Sequence, residues 1–223
     1  MSEVTETPRR RNNYAWPIIW WTLALCSVYA VVRYHVMGGV PWKDLPLFIL
    51  NKILSMTALI LLAINFTLGP LKNVGVPLSN QWMRSRRLVG ISGFLLVFAH
   101  LIISFLIFKP AFYGKFFDET GTLTLVVGLS MLFGVLAFIF LWMYNVSFSS
   151  TLRKDKDLIG FITSRKVLLI AFSFTGFHLF FIGYQGWLKP EGWHGGLPPI
   201  SLISFAFFAV GFVINLFGRK DPD

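Results

Sequence analysis

The chain has 223 residues, 55% of them hydrophobic and 13% charged, with a mean hydropathy of +0.66; a water-soluble domain of this size does not carry such a balance, which points to an integral membrane protein. The formal net charge of +10 lies mostly in short segments beside apolar runs. Membrane insertion and anionic lipid account for it there, which argues against nucleic-acid binding. Cys26 is the only cysteine, so there is no disulfide, thiolate metal site or redox thiol pair to consider.

Residues 1–15 are polar and charged, and are expected to be a disordered cytoplasmic segment. Six apolar runs follow, at about 16–36, 47–69, 88–108, 123–146, 167–188 and 199–217, each near the ~20 residues that an α-helix needs to cross a bilayer. They predict one all-α transmembrane domain over 16–217, a six-helix bundle, with a cytoplasmic tail at 218–223. The first run is too long and too aromatic for a signal peptide, and no small-residue cleavage site precedes Arg33, Tyr34 and His35.

Orientation follows from the basic residues. With the N-terminus in the cytoplasm, Arg9, Arg10, Arg11, Lys72, Arg84, Arg86, Arg87, Arg153, Lys154, Lys156, Arg165, Lys166, Arg219 and Lys220 fall inside. Arg33, Lys43, Lys52, Lys109, Lys115 and Lys189 fall outside. Fourteen against six, alternating loop by loop, predicts N-in, C-in topology. The outer loops, 38–42 and 190–199, are rich in Gly and Pro, with Trp42 and Trp193 at interface positions.

Ionisable groups at membrane depth are costly and usually functional. The middle of the spans holds only His100 and His178, with Asn65 and Asn145 as polar companions and no Asp or Glu. Without buried carboxylates, ion pumping or coupled transport is disfavoured. His100 lies 13 residues past Arg87 and His178 lies 12 past Lys166, about 18–20 Å along a helix in each case. Spans three and five run parallel, so the two imidazoles reach one depth in the outer half of the bilayer. That placement predicts one haem held by both histidines.

A porphyrin edge also needs small residues. Gly93 and Ala171 each precede a histidine by seven residues and share its helix face; Gly90, Thr175 and Gly176 add room, and Phe94, Phe98, Phe174 and Phe177 supply apolar walls. Arg33, Lys52, Lys109 and Lys115 are candidates to pair with haem propionates, and His35 and His194 lie at the outer surface. The blander expectation is that a membrane histidine makes a hydrogen bond between helices and that small residues serve helix packing.

Arg84-Ser85-Arg86-Arg87-Leu88-Val89-Gly90, with Phe94 and Ala99-His100-Leu101, resembles the third span of the ferric reductase-like transmembrane domain family, in particular the haem-binding membrane subunits of bacterial methionine sulfoxide reductase systems. Met56-Thr57-Ala58-Leu59 through Gly69-Pro70-Leu71 is similar to the second span. Phe148-Ser149-Ser150-Thr151, Arg153-Lys154 and Gly176-Phe177-His178-Leu179 resemble the fourth loop and fifth span. The likeness covers roughly 50–180 and implies haem b, six helices and transmembrane electron transfer.

Members of that superfamily typically stack two haems on histidine pairs about 13 residues apart. Here Arg86 and Arg165 stand at those inner positions, so one outer haem is expected. No dinucleotide-binding fingerprint is present, so electrons are expected from membrane quinol or a partner subunit, passing to an outer-face acceptor in what would be a bacterial inner membrane. The alternative is an accessory structural subunit of a larger membrane complex, pigment- or haem-binding but without electron transfer of its own.

Overall fold

The computed structural model describes residues 13–147 and 155–218. The expected N-terminal segment, the 148–151 motif, the tail, and Arg9, Arg10, Arg11, Arg153, Lys154, Arg219 and Lys220 lie outside the described residues, except that 13–15 and 218 are described.

Six helical segments are long and apolar enough to cross a membrane: Ala15–Val36, Trp42–Asn73, Asn80–Ile107, Leu125–Val146, Arg165–Trp187 and His194–Gly218. The chain is therefore an all-α, six-span integral membrane protein. In chain order the helices are α1 (Ala15–Ala30), α2 (Leu50–Asn73), α3 (Asn80–Ile107), the single turn α4 (Pro110–Tyr113), α5 (Leu125–Val146), the short α6 (Lys156–Thr163), α7 (Arg165–Trp187) and α8 (Ile200–Gly218).

Several ends have local causes. Val31–Val36 extends α1 as π-helix, and Leu45–Ile49, with Pro46 near its start, does the same before α2; a prolyl nitrogen has no hydrogen to give to a regular ladder. The Asp155 carboxylate caps α6 by accepting from Leu158 N at 2.9 Å. The third span begins at Asn80, well before the apolar run at Leu88, because a helix continues through the headgroup layer after its residues turn polar.

α2 is the axis of the bundle. It packs against α1, α3 and α8, while α7 packs against α5 and α8. Met56, Ala58, Leu61, Ala63 and Phe66 are buried at successive positions around α2, as expected of a helix with neighbours on several sides. α3 and α5 touch sparingly.

Hydrogen bonds tie each end of the bundle. At one end Tyr14 N donates to Ser85 Oγ at 2.8 Å and Arg165 donates to the Leu216 carbonyl. At the other, Tyr29 Oη donates to the Pro198 carbonyl at 2.6 Å, Arg33 donates to the Leu197 carbonyl, and Trp187 Nε1 donates to Ser201 Oγ at 3.0 Å.

Candidate functional site

His100 on α3 and His178 on α7 line one cavity of about 700 Å³, enclosed by α2, α3, α5, α7 and α8. That volume is typical of a cofactor site, for which about 300–1,000 Å³ is usual.

Both imidazoles are held by the same nitrogen. His178 Nδ1 donates to the Ser130 carbonyl on α5 at 2.8 Å, and Ser130 Oγ donates to the His178 carbonyl at 2.9 Å. A carbonyl can only accept, so Nδ1 carries the hydrogen and Nε2 is left with a bare lone pair. His100 Nδ1 lies 2.7 Å from Asn51 Oδ1 on α2. The Asn51 amide is oriented by its own donation from Nδ2 to Ser104 Oγ at 3.0 Å, so His100 Nδ1 is the donor here too. Neither Nε2 has a hydrogen-bond partner among the described residues. An imidazole pinned at Nδ1 by an oxygen acceptor is the usual arrangement of a metal-ligating histidine.

Gly134 lets α5 approach this close: a Cβ there would lie 2.8 Å from His178 Nδ1. Ser130 and Gly134, one turn apart, together form a socket for the ring.

The small residues divide. Ala171 and Thr175 line the cavity, whereas Gly90, Gly93 and Gly176 do not. A Cβ on Gly93 would lie 2.9 Å from Leu62 Cγ, and one on Gly90 2.8 Å from Asn65 Nδ2. One on Gly176 would enter the Phe208 ring. The room they leave is taken by α2 and α8, so these three glycines serve helix packing.

The expected aromatic walls also lie elsewhere. Phe94 and Phe98 stack on Phe138 at 6.0 and 6.1 Å, and Phe174 and Phe177 pack on Phe133 at 5.9 and 5.0 Å. Phe66, Phe138, Phe140, Phe172 and Phe208 line the cavity instead. Phe98, two residues before His100, is turned about 200° from it on the helix.

The mouth of the cavity is cationic. Arg33, Lys52, Lys115 and Lys189 line it together with His194, and among the described residues no Asp or Glu does. Lys109 is not on the wall and lies over the Phe112 ring instead. Arg33 is 4% exposed and its Nε has no hydrogen-bond partner among the described residues. Lys52 Nζ lies between the Phe48 and Tyr113 rings, 5.1 and 4.8 Å from their centroids. Burial, then the charges of Lys52 and Arg33, push the Lys115 ammonium below its ordinary value. His35 is occupied otherwise: Nδ1 lies 2.7 Å from the Val40 carbonyl, and the ring packs tilted by 42° against Trp42, with centroids 3.8 Å apart.

A bis-histidine haem fits this donor set. Both histidines, each with an unpartnered Nε2, line one largely apolar cavity, and Arg33, Lys52, Lys115 and Lys189 line it too, paired with no carboxylate among the described residues, which suits a group that carries carboxylates of its own.

The fold and this site define a six-span membrane protein with a half-buried histidine pair on one internal cavity. No protein-family model matches the chain, and no curated protein matches it significantly.

Proposed function

We propose that the chain is the membrane cytochrome subunit of an oxidoreductase, with one haem b between His100 and His178. The observation that carries this reading is the pair of imidazoles on one cavity, each pinned at Nδ1 and open at Nε2. Haem supplies reversible one-electron storage when bound. The chain's own residues do the rest. Asn51 and Ser130 fix the orientation and tautomer of the imidazoles, and Phe66, Phe138 and Phe172 on the cavity wall would exclude water from the bound group. Arg33, Lys52, Lys115 and Lys189, which line the same cavity, would supply positive charge to that group's carboxylates.

In this reading electrons come from membrane quinol or a partner subunit and leave toward the face that bears Arg33 and His194. That face is outer if the positive-inside rule holds: Lys72, Arg84, Arg86, Arg87, Lys156, Arg165 and Lys166 cluster at the opposite end. The N-in, C-in topology and a bacterial cytoplasmic membrane belong to the same proposal.

The test is a reduced-minus-oxidised absorption spectrum of the purified protein beside His100→Ala and His178→Ala. Sharp low-spin b-type bands, lost in both variants, support the reading. A chain that carries no haem when purified with its native partners overturns it and leaves the structural-subunit alternative.

A further inference from the structure

A second cavity, of about 530 Å³, lies between α2, α3 and α5 near the Arg86 end of the bundle. Leu62, Phe66, Leu141 and Tyr144 belong to the walls of both cavities, so the new one begins where the histidine cavity ends. Its far end carries Arg86, Arg87, Asn65 and Asn145. We propose that it binds the phosphate group of an acidic phospholipid, with an acyl chain lying along its apolar wall.

Three observations carry this. The first is charge. No Asp or Glu lines the cavity, and neither guanidinium is paired with a carboxylate among the described residues. Two such cations beside an apolar cavity call for an anion, and guanidinium matches phosphate oxygens in pairs. A neutral quinone would leave both charges unanswered.

The second is an unspent amide. Asn65 is 7% exposed and lines the cavity, yet its side chain makes no hydrogen bond among the described residues. Its amide atoms open onto the cavity rather than being sealed into the packing, so a ligand there can reach them. The surrounding backbone holds it in place: Gly90 leaves room for Asn65 Nδ2, as its Cβ would come within 2.8 Å. Arg86 is set similarly. Its Nε donates to the Asn65 carbonyl at 3.2 Å, and its Nη1 lies over Gly69, where a Cβ would be 3.3 Å away. The other nitrogens of the fork remain for a ligand. Asn145 spends Nδ2 on the Leu141 carbonyl at 2.9 Å, which leaves Oδ1 to accept from a headgroup hydroxyl.

The third is access. The sparse contact between α3 and α5 leaves a side opening, where Ile91 is 40% exposed and Arg87 is exposed. Arg86 and Arg87 stand just before the apolar run that starts at Leu88, at headgroup depth. A phosphate at that depth with its chain between α3 and α5 is the geometry of a membrane lipid.

The test uses the full chain, delipidated in mild detergent and offered phosphatidylglycerol, phosphatidylcholine or inorganic phosphate, with bound lipid counted by extraction and mass spectrometry. The expected result is about one phosphatidylglycerol per chain, little phosphatidylcholine, and at least a tenfold weaker affinity in Arg86→Gln/Arg87→Gln and in Asn65→Leu. Lys72→Gln, at the same end but off the cavity wall, keeps wild-type retention. Equal retention of both lipids, an equal loss in Lys72→Gln, or a quinone recovered in place of lipid overturns the proposal. Millimolar phosphate that fully displaces the lipid assigns the site to free phosphate and overturns the lipid assignment. Retention is read without haem, so it stands or falls separately from the cytochrome reading.

Discussion

Asn51 Oδ1 lies 2.7 Å from His100 Nδ1, while Asn51 Nδ2 donates to Ser104 Oγ at 3.0 Å. One amide on α2 therefore fixes both the tautomer and the ring plane of an imidazole on α3. Asn51→Leu leaves that Nδ1 hydrogen without an acceptor in a buried site. Loss of such an outer partner typically costs about 10–100-fold in metal affinity, and that is the expected loss in haem titration of the apoprotein. Ser104→Ala keeps the Asn51–His100 bond and should lose much less. Wild-type haem binding by Asn51→Leu would reduce Asn51 to a packing residue.

His178 has a different guard. A methyl group on Gly134 would fall 2.8 Å from its Nδ1, so Gly134→Ala must push the ring away from the Ser130 carbonyl. Under the proposed cytochrome reading, the b-type bands should weaken or change spin state while helix content by circular dichroism stays constant. Gly128→Ala on the same helix is the control, since no heavy atom lies within 4 Å of its new Cβ. If both variants keep the wild-type spectrum, the socket formed by Ser130 and Gly134 is not what orients His178.

The packing glycines should behave the opposite way. Gly93→Val forces bulk into Leu62 and the Ala58 carbonyl, and overpacking of this kind costs about 1–3 kcal/mol. The melting temperature should fall, but the haem carried per folded chain should not. A glycine that cleared a haem edge would instead show a changed spectrum at unchanged stability, so the two measurements together separate the two uses.

The six spans were legible because apolar length is a strong signal and survives any error in packing. The histidine pair was legible for a related reason: His100 and His178 are the only histidines midway along apolar runs. Their partners were not. Asn51 stands beside Lys52 near the start of its run and reads as a boundary residue. Ser130 reads as one of the many membrane serines that bond back to their own helix. Ser104, one turn from His100, was the available clue. Helical periodicity gave Gly93 the face of His100, but a period names a face and not its neighbour, and Leu62 of α2 fills that space. The same holds for Gly90 and Gly176, whose neighbours are Asn65 and Phe208. In the sequence Lys189 reads only as an outer-loop charge, because nothing local shows that the loop brings it to the cavity.

The loop between α4 and α5 frames the cavity mouth and has its own pH dependence. Asp118 Oδ1 accepts from Thr120 N at 2.9 Å, Thr120 Oγ1 at 2.6 Å and Thr122 N at 2.9 Å. Asp118 N donates to the Thr122 carbonyl at 2.8 Å, and Phe117 bridges to Leu123. The Thr120 hydroxyl, then the Thr122 N–H, hold the Asp118 carboxyl below its ordinary value. A depressed folded value means that the open loop binds the proton more tightly. The closed turn is therefore fully stabilised above the ordinary carboxylate range, about pH 3.9, and loses that stabilisation as pH falls through the lower folded value. Hydrogen-exchange protection at Thr122 N should be flat through neutral pH and drop only in acid. Asp118→Ala should be poorly protected at every pH, since no acceptor replaces the carboxylate. Lys115 and Phe116, just before the turn, line the cavity, so loss of the turn should also raise the access of a water-soluble quencher or reductant to the cavity mouth. Unchanged protection in Asp118→Ala would mean that the Phe117–Leu123 bridge holds the turn alone.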